Sequence, residues 1–548
     1  MVKSRPLRDK SARFDPLKAQ QSEMLKDDLP SSLRSSESNI RELACIAVAN
    51  LPNLPENTEI LKLIVERMTD TEPAVQVAAL HAGINLAESH YQELLNLGVI
   101  QLLQPVIGTY ISDEHMFSNK QEQQICHSLV ANALYLLGAL GSEHEPLFNE
   151  FSSSELFTQC VQAILTRNKT LALPAIDLLN LCVESNIQTS QKLVRQYSQQ
   201  LFALLNGLES EVKIAVVGLM TSALQETGNY DEIFRYSLPI VLEMLTVDIH
   251  GEFLTNISSK LTDDNFKGQE HFWIGEAKAQ QNSLEILTNL LSVEADEEPL
   301  VLSHLTLENI KSIGKSANGV SKDVALSIFN YPDLMSTMIS LQCAAFSCIQ
   351  NLILNTSCFT NHCNELWVML IDHLDRALEF SEEETEFQEN FIELLEIVSK
   401  NMCSICKKYP DSIDQKNNYI PIVLQGIYKD NDEVTENLLG ALAVIGKGDL
   451  ALQIVEDIVK ALVKCCGNKS VEVNTEALNA FFDIFCDEKY DSVLKALGVV
   501  EMMNNGVEVF RNKAVMCKDD EVKDHALEAL ENLIEFIKYK IQHQNDGN

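Results

Sequence analysis

The sequence has little positive charge. Among 548 residues, Lys and Arg number 42 against 79 Asp and Glu, which gives a formal net charge of -37 at pH 7. Such an excess disfavours nucleic acid as a partner, because binding to it depends on the neutralisation of phosphates. A cationic partner is attracted by the same field. We therefore expect a basic protein partner and no direct contact with nucleic acid.

Signals for secretion and for membrane insertion are also scarce. The 14 cysteines follow no regular spacing, and the chain begins with charged residues, so we expect neither a disulfide framework nor a signal peptide. No stretch reaches the roughly 18 to 20 uninterrupted apolar residues that a membrane span requires. The sequence predicts a soluble protein without membrane contact, in a reducing intracellular compartment.

The chain is instead rich in helical periodicity, and the period-2 patterns of strands are missing. From Leu33 onward, apolar residues recur at i, i+3, i+4 and i+7 in blocks of about 12 to 18 residues. The clearest block is Glu72–Ser89, where Pro73 suits a first helical turn. Small residues in that block, Ala79 and Gly83 among them, would let a neighbouring helix approach closely.

The same pattern returns along the chain at intervals of about 35 to 50 residues, which is typical of HEAT and armadillo arrays. The sequence therefore predicts an all-α fold, an α-solenoid (superhelix) of about 10 to 12 HEAT/armadillo-type repeats. We expect the second helix of each pair to line the inner, partner-binding surface. The best copies are Asn39–Leu51, Ser210–Leu224, Asn431–Ile445, Lys469–Phe485 and Asp519–Phe536.

Two stretches interrupt the periodicity, Val247–Gln280 and Val293–Asp333, and they are interpreted as insertions on one face of the array. Together with the basic start of the chain they suggest a division into five parts. These are a basic, disordered segment at 1–32, repeats at 33–246, an irregular acidic, loop-rich insertion around a repeat helix at 247–335, repeats at 336–541, and a disordered tail at 542–548.

No arrangement of residues predicts catalysis. Ile313–Ser316 is similar to the end of a phosphate-binding loop, but the first glycine of that loop is replaced by Asn309. Cys403 and Cys406 form a CxxC without a second pair or a His close by. His81 stands alone on its helix, which favours a surface or interface residue. We expect no catalytic, cofactor-binding or metal site, and no enzyme.

Five segments carry a resemblance to a known family. The start MVKSRPLRDKSARFDP is followed by SLEILTNLLSVEADEEP and SLQCAAFSCIQNLI, and then by TEALNAFFDIFCDE (Thr475–Glu488) and ALENLIEFIKYK (Ala529–Lys540). In this order they resemble the symportin family, HEAT/armadillo-repeat chaperones of ribosomal proteins. They correspond to its basic head, the helix entering its acidic insertion, the helix that follows, and its closing repeats. The resemblance spans the whole chain.

The resemblance implies a function that agrees with the charge of the chain. The symportin family binds the two large-subunit ribosomal proteins that accompany 5S RNA, shields them before assembly, and carries them together into the nucleus. Ribosomal proteins are strongly basic and would be steered toward this acidic chain. We therefore expect a monomeric chaperone and adaptor in ribosome biogenesis that shuttles between cytoplasm and nucleus.

The resemblance also implies a transport signal at the N-terminus, for a transportin-type import receptor. In the family this signal ends in Pro-Tyr, whereas here Pro16 is followed by Leu17, so the basic part and the proline match and the tyrosine does not. The residues of the expected signal are Lys3, Arg5, Arg8, Lys10, Arg13 and Pro16.

A second site implied by the resemblance is the acidic insertion, with which the family docks one ribosomal protein by placing negative charge where RNA would lie. The corresponding loop is less acidic here than in the family. Its expected docking residues are Glu294, Asp296, Glu297 and Glu298.

Two other functions fit a helical repeat array. A general armadillo-type import adaptor would carry regular Trp/Asn pairs on its second helices, but the chain has only Trp273 and Trp367. A scaffold subunit of a phosphatase or ATPase complex would bind its partner through a mainly apolar interface and would keep it at high salt.

Overall fold

The structure is a computed structural model. It describes residues 28–546 apart from 52–57, 113–118, 145, 150, 248, 250–269, 293–331, 356–362, 382–386 and 414–418. Within the gap at 293–331 it describes residues 305 and 312–314, and before residue 28 it describes residues 18, 22 and 25. The described chain divides into two compact units, unit 1 (Met1–Met244) and unit 2 (Leu245–Asn548).

Unit 1 is a succession of paired helices. Its short helical segments are Leu29–Leu33, Pro146–Asn149, Phe151–Ser153, Tyr230–Glu232 and the π-helical turn Ile233–Ser237. Its longer helices are α1 (Ser38–Ala49), α2 (Thr58–Arg67), α3 (Pro73–Asn96), α4 (Val99–Ser112), α5 (Lys120–Glu143), α6 (Glu155–Leu165), α7 (Lys169–Ser185), α8 (Ile187–Leu204), α9 (Ser210–Glu226) and α10 (Leu238–Leu245), the last ending at the unit boundary.

Unit 2 repeats the same arrangement. Its short segments are Pro410–Ser412 and Asp491–Ala496. Its longer helices are α11 (Glu270–Leu291), α12 (Pro332–Asn355), α13 (Cys363–Ser381), α14 (Gln388–Lys408), α15 (Ile420–Ile427), α16 (Asp432–Ile445), α17 (Leu452–Cys466), α18 (Val471–Phe485), α19 (Val499–Met516) and α20 (Asp520–Asp546).

Each unit has two layers of helices. In unit 1 the helices α1, α3, α5, α7 and α9 contact one another in sequence, and in unit 2 the helices α11, α12, α14, α16, α18 and α20 do so; we call these the ladder helices. The remaining long helices form the opposite layer, whose members contact one another much less. From α3 on, each ladder helix except α11 and α12 is the second helix of its pair. The all-α solenoid predicted from the sequence is confirmed.

Asparagine and serine side chains define where several ladder helices begin. Each accepts a hydrogen bond from a backbone N–H in the first turn, which otherwise lacks a partner inside the helix. These caps explain why polar residues separate the apolar blocks of the sequence. They are Asn119 before α5, Asn168 before α7, Asn431 before α16 and Ser470 before α18.

Long polar side chains also tie several ladder helices to the one before. They donate hydrogen bonds to backbone carbonyls in the last turn of the preceding helix, which have no acceptor role within that helix. Repeated links of this kind fix the order and spacing of the stack. The bonds are Asn85 Nδ2 to Ala49 O (2.9 Å), Asn355 Nδ2 to Leu291 O (2.9 Å) and Lys408 Nζ to Ile353 O (2.7 Å).

Two ladder helices are long and apolar enough to span a membrane by composition alone. One is α5 (Lys120–Glu143). The other is α12, over residues Asp333–Asn355. In the most apolar 18-residue stretch of each helix, 72% is buried in α5 and 78% in α12. This is the environment of a core helix in a repeat array, where both sides of the ladder are covered.

Several boundaries between the predicted parts of the chain differ from those in the structure. Helix Leu29–Leu33 begins inside the segment predicted to be disordered up to residue 32, and α20 continues to Asp546, beyond residue 541. The unit boundary after Met244 lies two residues before the predicted one after 246. Residues 270–280 were predicted to be a loop, but they form the first half of α11.

Candidate functional site

The ladder helices of unit 2 present an acidic stripe to solvent. On α16, Glu433 is exposed and Glu436 half-buried, while the neighbouring apolar residues point into the core. On α18, Glu472 and Glu476 are both half-buried. The spacings of three and four residues place each pair on one side of its helix. We call these four glutamates the acidic face of unit 2.

The carboxylates of this face influence one another across the two helices. Burial raises the pKa of Glu436, and the negative charges of Glu476 and Glu472 raise it further. The positive charge of Lys407 on α14 acts in the opposite direction. Because like charges are held close together, a cation arriving from solvent would relieve their repulsion.

Lys407 reaches this face because α14 and α16 approach closely. A Cβ added to Gly440 would lie 2.9 Å from Cys403 Sγ and 3.7 Å from Lys407 Cε, so glycine leaves room for both side chains. Burial would lower the pKa of Lys407, but Cys403, Glu476 and the other nearby acidic groups outweigh it and raise the pKa. The lysine is therefore a resident cation on an acidic surface.

The thiols beside this face are poor nucleophiles. Burial raises the pKa of Cys403, and it raises the pKa of Cys406 well above the ordinary value. A thiol reacts as its thiolate, so both groups are protonated and unreactive near neutral pH. Within the described residues, no group of three or more His, Cys, Asp or Glu side chains has an arrangement that could hold a metal ion. The chemistry available at this face is the binding of cations.

Unit 1 carries a second acidic stripe on its own ladder helices. Burial raises the pKa of Tyr135 on α5, and the negative charges of Asp177 on α7 and Glu211 on α9 raise it further. Two turns along α7, burial and the charge of Glu226 raise the pKa of Glu184. We call Asp177, Glu184, Glu211 and Glu226 the acidic face of unit 1.

The site residues predicted from the sequence lie outside the described residues. This holds for the whole transport signal (Lys3, Arg5, Arg8, Lys10, Arg13, Pro16) and for the whole acidic docking loop (Glu294, Asp296, Glu297, Glu298), so both stay predictions. The described residues do fix where each segment joins the fold. Lys18 Nζ lies 2.6 Å from Glu42 Oε1 on α1. The loop leaves the end of the ladder helix α11 beside Asn351, whose Nδ2 is 3.1 Å from Ser292 Oγ.

The interpretation of His81 as a surface or interface residue was wrong. Its side chain is only 6% exposed, within the core between ladder helices. Burial lowers its pKa to about 4, so the ring is neutral at physiological pH.

Sequence reasoning also missed the acidic face of unit 2. The relevant pattern lies in two sequence blocks from which only the apolar periodicity was used to predict helices. In each block two glutamates are three or four residues apart in the first turns of the helix. The blocks are DEVTENLL and VEVNTEAL. The spacing alone could not reveal the site, because it does not tell which helices are neighbours in the ladder.

The C-terminal part of the chain matches a known protein family. Residues 301–544 match a family model described as SYO1-like, TPR repeats, where SYO1 denotes symportin 1. Over these residues the resemblance to the symportin family is confirmed. The matched region includes the acidic face of unit 2. No curated protein matches the chain.

Several solved structures match the chain at low sequence identity. An engineered protein is 16% identical, with a TM-score of 0.35 over 92% of this chain and 98% of that one. The karyopherin Kap121p bound to the SUMO protease Ulp1p is 10% identical, with a TM-score of 0.44 over 94% of this chain. The chain spans 56% of that karyopherin's length. A structure from a study of cadherin and β-catenin is 13% identical, with a TM-score of 0.42.

Proposed function

We propose that this chain, which is a symportin-like helical-repeat protein, is a non-enzymatic adaptor for basic ribosomal proteins. It would hold the two large-subunit ribosomal proteins that accompany 5S RNA and bring them into the nucleus with a transportin-type import receptor. The observation that carries the proposal is the acidic face of unit 2, formed by Glu433, Glu436, Glu472 and Glu476 inside the family-matched region.

The face suits an extended basic segment better than a compact acidic or neutral surface. Packed helices lie about 8 to 10 Å apart, and this is close to the span of about three residues of extended chain. Arginine or lysine side chains two or three positions apart in the partner would therefore meet carboxylates on successive ladder helices. Glu436, Glu472 and Glu476 are half-buried, so solvent would screen pairs with them less than it screens exposed pairs.

Chaperone activity follows from the same contacts. A basic segment that would bind RNA in the ribosome is covered here by carboxylates, which removes the charge that drives nonspecific binding to nucleic acid. No reaction is needed, and the buried Cys403 and Cys406 beside the face are protonated. Release would require only a competitor with stronger negative charge, and ribosomal RNA has that property.

The test uses the full chain and the two purified ribosomal proteins. Glu433, Glu436, Glu472 and Glu476 are changed together to glutamine, and the dissociation constant of each ribosomal protein is measured. A matched control changes four exposed acidic residues of the opposite layer to their amides, Glu365, Asp375, Glu379 and Glu501. Both variants remove four negative charges.

We expect the face variant to bind one or both ribosomal proteins on the order of tenfold or more weakly, and the control to change binding by less than about threefold. Equal losses in both variants would mean that net charge alone attracts these proteins. Unchanged binding in the face variant would remove this site from the proposal.

A further inference from the structure

Three arginines of unit 1 differ from the other arginines that the structure describes. Five of the eight described arginines form ion pairs with Asp or Glu: Arg34, Arg41, Arg67, Arg376 and Arg511. The other three are exposed, and none of them forms an ion pair with a described residue; they are Arg167, Arg195 and Arg235. Because the chain has 79 acidic against 42 basic residues, guanidinium groups without a carboxylate are unexpected from composition.

Two of these arginines lie beside a pair of aromatic rings. Arg195 is on α8 two turns before Phe202, so the two side chains are on the same side of the helix and about 10 Å apart along its axis. The ring of Phe202 contacts that of Tyr236, with centroids 5.1 Å apart. The guanidinium of Arg235 lies 5.2 Å from the centroid of the Tyr236 ring. Arg195 and Arg235 thus flank the two rings.

The third arginine reaches the end of the same helix from the turn after α6. A Cβ added to Gly207, just beyond α8, would lie 3.4 Å from Arg167 Nη1. Arg195 and Gly207 are about 18 Å apart along the helix direction. Arg167 has a φ of 61°, in the left-handed region that favours glycine, and strained backbone of this kind is concentrated at binding sites. We call Arg167, Arg195, Arg235, Phe202 and Tyr236 the arginine face of unit 1.

The surroundings of the arginine face contain little negative charge. Helix α8 has no Asp or Glu in its 18 residues. Asp231 and Glu232 precede Arg235 by about one turn and are exposed, yet neither pairs with it. The guanidinium of Arg235 lies over a ring instead, where its charge is open to a partner. Its backbone belongs to the π-helical turn Ile233–Ser237, and such turns are rare and frequent at functional sites.

We infer that the arginine face binds an acidic segment of a partner protein. Each planar guanidinium can hold a carboxylate through two parallel hydrogen bonds, and it gives up water more readily than an ammonium group does. Arginine and tyrosine are among the residue types that contribute most to the energy of protein interfaces. In extended chain, acidic residues about five or six positions apart would reach both Arg195 and the turn at Gly207. Phe202 lies between these two points and would cover an apolar side chain of the segment.

A nucleic acid is a less suitable ligand for the same surface. Proteins hold single-stranded nucleic acid through aromatic rings on which the bases stack. The ring of Tyr236 already contacts Phe202 and Arg235, and Phe202 is half-buried, so little open ring surface is left for a base. The net charge of -37 also repels a polyanion with a charge on every nucleotide more strongly than it repels a short acidic segment.

This inference goes beyond the proposed capture of ribosomal proteins. The arginine face belongs to α8 and to the turns around it, whereas the acidic face of unit 2 lies on α16 and α18. One surface offers guanidinium groups and the other offers carboxylates, so the two would bind partners of opposite charge. The chain would then hold an acidic partner through unit 1 while it carries a basic one through unit 2.

The test uses the full chain and a fluorescent synthetic peptide of about ten residues, in which Asp and Glu alternate around one central Phe. Such a peptide, when extended, is longer than the roughly 18 Å from Arg195 to Gly207. Its dissociation constant is measured at low salt for wild type and for a chain with glutamine at Arg167, Arg195 and Arg235. We expect the variant to bind the peptide at least about tenfold more weakly.

A matched control separates the arginine face from net charge. It carries glutamine at three arginines that do form ion pairs, Arg34, Arg376 and Arg511. Both variants lose three positive charges, so the long-range repulsion between chain and peptide is the same in both. The control should change the dissociation constant by less than about threefold. Equal losses in the two variants would overturn the inference, and so would a wild-type chain that does not bind the acidic peptide.

Two further probes decide the class of ligand. A peptide with Asn and Gln in place of Asp and Glu should not bind, because it offers no charge to the guanidinium groups. An oligouridylate of about ten nucleotides should bind at least about tenfold more weakly than the acidic peptide. Tighter binding of the oligouridylate that is lost with the three arginines would assign the face to nucleic acid and overturn the inference. Neither result bears on the capture of ribosomal proteins by unit 2.

Discussion

At the scale of single residues, Asp70 shows how unit 1 accommodates a buried charge. Its carboxylate accepts hydrogen bonds from Arg41 Nη2 at 2.7 Å, Arg41 Nε at 2.8 Å and Arg67 Nη1 at 2.9 Å. It also accepts one from Glu72 N, at the start of α3, at 3.1 Å. Burial by itself would raise the pKa of Asp70, but the bonds from Arg41 and Glu72 and the two positive charges hold it below the ordinary value.

Changing Asp70 to Asn should destabilise the protein by about 3 to 5 kcal/mol, because it leaves the buried Arg41 guanidinium without its counter-ion. Urea unfolding of the variant and wild type measures the difference. The control is Glu59→Gln in the exposed pair with Arg34, which should change stability by no more than about 1 kcal/mol. A loss at Asp70 no larger than in the control would contradict this account of the pair.

His81 makes stability depend on pH in a different range. Burial lowers its pKa to about 4 from an ordinary value of 6.5, so between these values the unfolded chain binds the extra proton and the folded chain does not. Stability should therefore rise with pH across this window, by about 1.4 kcal/mol per pH unit for this one group. Above pH 6.5 its contribution no longer changes.

The measurement is the free energy of unfolding of wild type and of His81→Gln at pH values between 4.5 and 7.5. The difference between the two proteins should shrink as the pH falls, since the variant lacks the titrating ring. A constant difference over the whole range would mean that His81 does not titrate as its burial predicts.

Residue types in the core also explain what the sequence could not predict. The start of α11 was assigned to a loop because residues 247–280 interrupt the apolar periodicity, and the buried residues of that stretch include the polar Gln280. Gln280 Nε2 donates to Val247 O at 2.8 Å, so the fold satisfies a buried amide that a hydrophobic pattern counts as exposed. His81 was misjudged for the same reason. Apolar periodicity predicts core positions only where the core is apolar.

At the scale of helices, close packing depends on glycine at a few positions. A Cβ added to Gly141 in α5 would lie 2.0 Å from Phe148 Cζ, and Phe148 is itself buried. In α19, Gly506 has nothing within 4 Å of the same added atom. The two glycines therefore allow one substitution to be compared in a packed and in an open environment.

Gly141→Ala should destabilise the protein by about 1 to 3 kcal/mol, since the ring of Phe148 must move out of a filled space. Gly506→Ala should be neutral or stabilising by up to about 1 kcal/mol, because alanine favours the helix and meets no neighbour. Thermal or urea unfolding of both variants checks the contrast. If Gly141→Ala were as stable as Gly506→Ala, the packing of Phe148 against α5 would be wrong.

Most of the helices were predictable because their signals are local. Periodic apolar residues, small residues at helix contacts and polar caps such as Asn431 and Ser470 lie within one block of sequence. The acidic face of unit 2 was not predictable in that way, because Glu436 and Glu476 belong to blocks about 40 residues apart and meet only after the ladder has formed. The sequence supplied the family resemblance and the charge, and the structure supplied the surface on which the proposed function rests.

At the scale of the whole molecule, net charge decides how the protein meets its partners. The chain has 79 acidic and 42 basic residues, and this excess of negative charge attracts any cationic protein. A specific site must bind its partner more strongly than the rest of the acidic surface does. In the proposed function the glutamates of the unit 2 face would add such contacts, because a bound cation would relieve more of their mutual repulsion than Lys407 alone does.

The most direct test of the account is the salt dependence of binding between the full chain and the two 5S-associated ribosomal proteins. The dissociation constant is measured for wild type and for the chain with glutamine at Glu433, Glu436, Glu472 and Glu476. We expect wild-type binding to weaken on the order of tenfold or more between about 0.1 M and about 0.5 M salt, and to do so less steeply in the variant. Binding that is absent at low salt, or that is unchanged by salt in both proteins, would contradict the central claim that the acidic ladder surface holds a basic ribosomal partner.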